Sequence, residues 1–161
     1  MTSQKDSKIT LDDLDYGILN ILIKDAKRSY VDIGKELDVS SGTVFVRVKK
    51  MADQNVIRGT NTDINYYLLG YRTIVYLSIN LDYGYTTSEI CDQLIAIKNV
   101  VEITPISGRY DIMCKMIFTS TYIAGEIIEN EIKKVKGVRA IDSSIALAKS
   151  HKASLTVGKV S

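Results

Sequence analysis

Two short stretches concentrate the residues whose side chains could do chemistry. The first, residues 40–58, combines small polar residues, two apolar side chains and several cations. Its candidate contact residues are Ser41, Gly42, Thr43, Phe45, Val46, Arg47, Lys49, Lys50 and Arg58. Small, apolar and basic residues in one stretch are typical of a surface that approaches the bases and phosphates of nucleic acid. A small helical module with a solvated basic stripe is the alternative that spacing alone leaves open.

A helix would present this first stretch in a defined way. At about 100° per residue, Val44, Val48 and Met51 share one face, whereas Val46 and Lys49 point away from it. In a helix-turn-helix, the N-terminal part of the second motif helix enters the major groove. Small residues at its start would allow close approach, outward apolar side chains would contact thymine methyl groups, and basic side chains would contact phosphates.

The second stretch, residues 107–111, reads Ser-Gly-Arg-Tyr-Asp and falls between two predicted strands. Gly108 supplies the positive φ that a tight turn needs, and Asp111 supplies a side chain for a local hydrogen bond. Ser107, Arg109 and Tyr110 complete the turn. These residues alone predict a hairpin turn and do not assign a ligand.

No set of residues in the sequence matches a metal site or a catalytic site. Cys91 and Cys114 fall in separate predicted elements, and His151 is the only histidine. No tetrahedral zinc set and no Ser/His/Asp or Cys/His triad follows from these residues. The three aspartates within residues 12–15 lie in the first turn of a predicted helix, where the helix dipole favours negative charge. We therefore predict no metal, no catalytic residue and no cofactor.

Three short helices are predicted to position the first stretch. An apolar stripe follows Thr10, which begins a capping-box pattern, and predicts a helix to about Lys24. Ser29 starts a second helix that stops near Asp38, and Ser40 caps the third. The gap between the second and third helices is only a few residues, as in a helix-turn-helix.

After Asn65 the pattern changes to an alternation of apolar and polar residues, as in residues 75–81. The elements then follow in the order βαββαβ, with a weak internal repeat. This order predicts an α+β fold, in which a three-helix winged helix-turn-helix precedes a ferredoxin-like sandwich. The predicted domains are residues 1–65 for the helix-turn-helix and residues 72–161 for the sandwich, joined by an ordered linker at residues 66–71.

Several motifs occur in register along the chain. The stretches LDDLDYGIL and SYVDIGKELDVSSGTVFVRVKKM are followed by VIRGTNTDIN and LLGY, and later by SGRYDI and KGVRAI. From about Leu11 to about Lys149, they resemble the leucine-responsive/asparagine-activator (Lrp/AsnC) family, including its Gly-x-Tyr-Asp turn. Gly34 stands where that family usually has alanine, and Asn55 where a glycine often ends the recognition helix. Asparagine tolerates the left-handed conformation, so Asn55 still suits a C-terminal cap.

The resemblance implies a transcription regulator that binds double-stranded DNA through a recognition helix at residues 40–54. It also implies that the second domain pairs subunits, in a homodimer or an octamer, and binds an amino-acid effector around the Gly-x-Tyr-Asp turn. There Asp111 would pair with the ligand ammonium, and backbone N–H groups near Gly108 would meet the ligand carboxylate. Ser143 and Ser144 on the last strand are the alternative contacts if Asp111 does not bind the ligand.

Net charge and overall hydrophobicity do not distinguish between the remaining functional alternatives. The net charge of +2 is too small to identify a partner. No apolar run approaches the roughly 18 residues of a membrane span, and no leader precedes the first helix, so a soluble cytoplasmic protein is expected. An architectural DNA-binding protein of the same family without an effector is a second possibility. A third is an enzyme resembling haem-pathway decarboxylases, but these depend on histidines in the α/β domain, and His151 lies in the tail.

Overall fold

A computed structural model describes residues 9–148 and 154–159, which fall into two compact units. The first unit contains residues 9–63 together with residues 154–159, and the second contains residues 64–148. The C-terminal segment thus belongs to the first unit, which differs from the predicted extent of the second domain. No local sequence pattern predicts that residues 154–159 belong to the first unit, because hydrogen bonds attach this segment to a residue 137 positions away.

The first unit consists of three helices, α1 (Asp13–Lys24), α2 (Tyr30–Glu36) and α3 (Ser41–Asp53). Ser29 and Ser40 cap α2 and α3 as predicted, each accepting a hydrogen bond from the backbone three residues on. The predicted start of α1 at Thr10 is wrong. Asp12 is its N-cap, and a reciprocal capping box joins Asp12 to Asp15. Thr10 and Asp12 both fit the N-cap pattern in the sequence, because a carboxylate accepts the backbone hydrogen bond as well as a hydroxyl does.

The turn between α2 and α3 depends on close backbone packing at Gly34. A Cβ atom added there would lie 2.6 Å from the carbonyl oxygen of Val39 and 3.3 Å from the backbone nitrogen of Ser41. Asp38, at φ 53°, reverses the chain in the left-handed region. Gly34 therefore allows α2 to approach closely the backbone that leads into α3.

The end of α3 confirms the role predicted for Asn55. Its φ is 59°, and its N–H donates to the carbonyl of Ala52 at 2.9 Å. The N–H of Val56 donates to the carbonyl of Met51, also at 2.9 Å, which completes a Schellman motif. Residues 59–65 follow without regular secondary structure, and the described part of the first unit contains no strand pairing.

A small apolar core and one ion-pair cluster hold the first unit together. The fully buried apolar residues are Ile18, Ile33, Val44 and Met51. The side chain of Asp15 on α1 is only 1% exposed, and its Oδ1 lies 3.2 Å from a guanidinium nitrogen of Arg47 on α3. The same nitrogen contacts Oδ2 of Asp12. Because a buried carboxylate requires a charged partner, this contact fixes α3 against the start of α1.

The second unit has the predicted βαββαβ order. Its elements are β1 (Thr73–Leu81), α4 (Thr87–Ile95), β2 (Val100–Pro105), β3 (Ile112–Phe118), α5 (Thr121–Asn130) and β4 (Val138–Ile145). The antiparallel sheet has the strand order β2-β3-β1-β4, so the ferredoxin-like prediction is confirmed. The segment before β1, where an ordered linker was expected, contains a short 3-10 helix, Tyr66–Leu69.

Alternation along the strands divides the sheet into two faces. In β1, Val75, Leu77 and Ile79 are buried against α4, α5 and the other strands, whereas the residues between them are half-buried. A reciprocal capping box between Thr86 and Glu89 starts α4. Among the described residues, no helix is both long and apolar enough to cross a membrane.

The packing at Gly34 predicts that replacing this glycine with alanine destabilises the protein. Alanine in a helix interior normally stabilises by about 0.5–1 kcal/mol relative to glycine, but Gly34→Ala drives Cβ into a backbone carbonyl. We expect a net destabilisation of about 1–3 kcal/mol, measured by thermal or urea unfolding of the full chain. Gly42→Ala is the matched control, because its Cβ would meet only the Ser40 hydroxyl at 3.6 Å. Equal effects of the two substitutions would contradict the close contact.

The Asp15 cluster predicts that stability depends on Arg47. Arg47→Met should lower the melting temperature by at least several degrees, because it leaves the Asp15 carboxylate buried without its cation. A second substitution, Asp15→Asn, should restore much of the loss, since it removes the buried charge. Arg28→Met is the control, because Arg28 and Glu36 form an ion pair that is exposed on both sides and should contribute little. An unchanged melting temperature in Arg47→Met would show that the cluster does not hold the helices together.

Candidate DNA-binding surface and effector turn

The predicted orientation of α3 agrees with its burial. Val44 and Met51 are fully buried and Val48 is half-buried, whereas Lys49 and Lys50 are exposed. At the N-terminal end, Ser41 and Gly42 are exposed and Thr43 is half-buried, with its hydroxyl 2.9 Å from that of Ser40. The helix therefore presents its small and basic residues on the face opposite the core.

Two apolar side chains on this outer face are left uncovered. Phe45 is 53% exposed and Val46 is 62% exposed, although both are bulky and apolar. Neither packs into the core of the first unit, which makes them available for contact with another molecule. The sequence prediction that they point outward agrees with this burial.

Tyr30 is a neighbour of this surface that the sequence analysis missed. Its ring centroid lies 6.2 Å from that of Phe45, with the ring planes inclined at 56°. Val31, the next residue on α2, is 53% exposed. An edge-tilted aromatic pair of this kind restricts the rotamer of Phe45. The helical pattern gave no signal for this contact, because Tyr30 and the buried Ile33 are three residues apart and lie on the same side of α2.

The basic residues divide into two groups. Lys49, Lys50 and Arg58 are exposed and have no ion-pair partner within the described ranges. Arg47, which was predicted to contact phosphate, has its guanidinium engaged by Asp12 and Asp15. The position flanks the outer face, and in the structure its side chain contacts the start of α1.

The electrostatics of the cluster are consistent with this role for Arg47. The backbone N–H of Asp15 and then the guanidinium of Arg47 hold the pKa of the Asp12 carboxyl below its ordinary value. In return, the hydrogen bond to Asp12 and the charge of Asp15 raise the pKa of Arg47. The three aspartates thus act in capping and ion pairing. The described residues include no cluster of three or more His, Cys, Asp or Glu that could hold a metal.

Asp111 in the second stretch has a structural partner. Its Oδ2 accepts a hydrogen bond from the N–H of Leu81 at 2.8 Å, and its backbone N–H donates to Ile79 at 3.0 Å. Its carbonyl accepts from Ile106 at 2.9 Å, and Gly108 has the positive φ of 119° that the turn requires. Asp111 therefore fastens the turn to β1, as expected for a hairpin.

Residues on two strands converge on this turn. The hydroxyl of Tyr110 donates a hydrogen bond to the Asp142 carboxylate on β4, and this bond raises the pKa of the Tyr110 phenol. The guanidinium of Arg109 lies 5.3 Å from the centre of the Tyr110 ring. Asn80 on β1 donates its side-chain N–H to the carbonyl of Arg109 at 2.7 Å. Asn80 and Asp142 were not predicted, because no local pattern links a strand residue to a turn about 30 residues away.

The two serines proposed on the last strand do not share a face. Ser143 is paired with Leu77, whose side chain is buried, and Ser144 is paired with Tyr76 on the opposite face of β1. Asp142 and Ser144, two residues apart, share the outer face. Of the two exposed serines, Ser144 therefore lies on the same side of the sheet as Asp142, and Ser143 lies on the other side.

Within the described part of the chain, the two cysteines add no reactive group to either surface. Cys114 is buried in β3, and burial raises the pKa of its thiol to about 12. Burial also raises the pKa of Cys91. Both thiols are therefore protonated at neutral pH and are poor nucleophiles. His151 lies outside the described residues.

Two family models match the chain. The model for a winged helix-turn-helix DNA-binding domain matches residues 11–58, and the model for the Lrp/AsnC ligand-binding domain matches residues 74–155. The first match contains the whole of α1, α2 and α3. The second contains nearly all of β1, the other three strands and both helices of the sheet domain, and therefore also the turn that carries Asp111.

Relatives and solved structures agree with these matches. An HTH-type transcriptional regulator of Pyrococcus furiosus is 34% identical over 137 residues, which are 85% of this chain and 91% of that protein. The regulatory protein AsnC of Haemophilus influenzae is 28% identical, again over 85% of this chain and 91% of the relative.

Among solved structures, AsnC of Escherichia coli superposes with a TM-score of 0.83 at 26% identity, covering 92% of this chain and 100% of that one. A transcriptional regulator of Neisseria meningitidis in complex with L-Met has the same fold, with a TM-score of 0.83 at 17% identity over 92% of this chain and 97% of that one. The chain belongs to the Lrp/AsnC family of transcription regulators, with an N-terminal helix-turn-helix domain and a C-terminal ligand-binding domain.

Proposed function

We propose that this regulator reads DNA with the outer face of α3 and that an amino acid bound by the second unit tunes that binding. The observation that carries the proposal is the exposure of Phe45 and Val46 beside exposed cations on a helix whose opposite face is buried. The side chains of this face do not contribute to the apolar core of the first unit. The length and position of α3 match those of a recognition helix in the major groove.

Different residues on this face would make different contacts. Val46 and Phe45 are apolar and would contact thymine methyl groups, while Ser41 and Gly42 let the start of the helix approach the bases. Lys49, Lys50 and Arg58 would contact phosphates, which position the helix without reading sequence. Arg47 would act indirectly by holding α3 on α1. We assign Tyr30 the role of orienting Phe45.

The effector site is proposed at the turn of residues 107–111 and the strand residues around it. The likeness to the L-Met complex of the Neisseria regulator motivates an amino acid as the ligand class. Such a ligand needs a carboxylate for its ammonium and donors for its own carboxylate. Asp111 uses Oδ2 for the Leu81 N–H, which leaves Oδ1 to face the ligand, and Asn80 provides a polar group nearby on β1.

The outer face of the sheet supports a proposed homodimer, with an octamer as a larger assembly. Met113 on β3 is 42% exposed and Val101 on β2 is 43% exposed, and Tyr76 and Ile117 are on the same side of the sheet. A second copy would remove this apolar surface from water, and a two-fold dimer would present two recognition helices to related half-sites about one DNA turn apart. In this arrangement the protein acts as a regulator.

The division between phosphate and base contacts predicts different effects of two substitutions on α3. Lys49→Ala should weaken binding to specific and random DNA by similar factors and reduce the salt slope by about one. Val46→Ala should weaken only the specific site, by roughly tenfold if both lost methyl groups are buried against bases. Fluorescence anisotropy over a range of salt concentrations measures both effects, with Lys98→Ala in the second unit as the control. Equal losses on both DNAs for both variants would contradict the assigned orientation of α3.

The proposed effector contact predicts a specific loss in Asp111→Asn. The amide oxygen can still accept the Leu81 N–H, so the hairpin should remain closed and the melting temperature should change little. Removal of the charge should lower the affinity for an amino-acid effector by roughly tenfold to a hundredfold, as expected for a charge-assisted hydrogen bond of about 1.5–3 kcal/mol. Calorimetry with a panel of amino acids measures this change, and Asp82→Asn, at an exposed position after β1, is the control.

Two outcomes of this titration would change the proposal. Unchanged affinity of an effector for Asp111→Asn would remove Asp111 from the site and place the ligand against the outer face of β4, at Ser144. Absence of binding by every amino acid, together with intact DNA binding, would favour an architectural role without an effector.

A further inference from the structure

The C-terminal segment, residues 154–159, makes a specific contact with α1. Asn20 donates from its side-chain nitrogen to the carbonyl of Val157 at 2.9 Å, and its side-chain oxygen accepts from the N–H of Val157 at 2.8 Å. Both hydrogen bonds are partly buried. One carboxamide thus satisfies the donor and the acceptor of a single backbone residue, as a neighbouring strand would do in a sheet.

A second contact fixes the direction of the segment along the helix. Nζ of Lys159 lies 2.8 Å from Oδ1 of Asp13, and the charge and hydrogen bond of Asp13 raise the pKa of Lys159. Asp13 and Asn20 are seven residues apart, so they lie on one side of α1 about 10 Å from each other along its axis. Val157 at Asn20 and Lys159 at Asp13 therefore make the segment run toward the N-terminus of the helix.

Hydrophobic burial does not explain this attachment. Leu155, the largest apolar residue of the segment, is 79% exposed, and Val157 is only half-buried. The segment is held chiefly by polar groups that match its backbone and one of its charges. Polar matching of this kind gives a defined register with modest strength.

We propose that residues 154–159 form a C-terminal strap, and that the side of α1 bearing Asp13 and Asn20 is its docking surface. The strap gives the helix-turn-helix unit a second covalent connection to the ligand-binding unit, in addition to residues 59–65 that follow α3. This connection leaves from β4, the strand that carries Asp142 and Ser144. The inference goes beyond the proposed function, because it holds whichever ligand binds and even if none does.

Hydrogen exchange of the full chain, followed residue by residue by NMR, tests the strap. The Val157 amide should be protected in the wild type and should exchange roughly five- to a hundredfold faster in Asn20→Ala, which removes two hydrogen bonds. Amides in the centre of α3 should be unchanged, which shows that the unit remains folded. Lys159→Ala should have a smaller effect, about two- to threefold, because its ion pair with Asp13 is exposed.

Thr156→Ala is the matched control on the strap, because Thr156 is exposed and retains its backbone groups. Exchange of the wild-type Val157 amide at the rate of an unstructured peptide would overturn the proposal. Identical protection in the wild type and in Asn20→Ala would also overturn it.

A mixing experiment identifies the chain from which the strap comes. Labelled Asn20→Ala chains, which keep the segment, are refolded with unlabelled chains that end after Ala148 and keep Asn20. If the strap docks on its own chain, the labelled Val157 amide stays unprotected. Recovery of protection would show that the segment docks on another copy and would overturn the same-chain strap.

Discussion

The buried carboxylate of Asp15 is the constraint on which the helix-turn-helix unit depends. It sits at the start of α1 with 1% exposure, and it faces Arg47 on α3. Rotation of α3 about its own axis would withdraw the guanidinium and leave a buried charge without a partner. The ion pair therefore specifies the rotation of the helix, in addition to the burial of Val44 and Met51. Because the rotation of α3 is fixed in this way, the face with Phe45, Val46 and Lys49 projects outward.

In the second unit, the corresponding constraint is the attachment of the turn of residues 107–111 to β1. Asp111 and Asn80 join the turn to that strand, one through the N–H of Leu81 and the other through the carbonyl of Arg109. Tyr110 joins it to β4 through Asp142. The turn is thus held from two neighbouring strands at the edge where their outer faces meet. A ligand that binds there encounters polar groups that are already positioned, so little conformational entropy is lost on binding.

Most of the architecture follows from local signals. Apolar spacing and serine caps located α2 and α3, and alternation located the strands, because these patterns depend on residues within a few positions of each other. The start of α1 was misplaced because Thr10 and Asp12 both fit a cap, and only the observed hydrogen bonds distinguish them. Asn55 was predicted correctly because its conformational tolerance is a property of the residue itself. Contacts between distant residues could not be predicted: nothing local reveals that Asp12 and Asp15, more than 30 positions earlier, engage Arg47. The attachment of the C-terminal segment to Asn20 escaped prediction for the same reason.

The engagement of Arg47 within its own unit also limits what α3 would contribute to the binding of arbitrary DNA under the proposed function. Among the described residues of α3 and the turn after it, the exposed cations are Lys49, Lys50 and Arg58. If these three side chains make the proposed phosphate contacts, they contribute a salt exponent of only about 2.7 per subunit. The recognition helix would then add little to the attraction for arbitrary sequence, and discrimination of a target would rest on its base contacts.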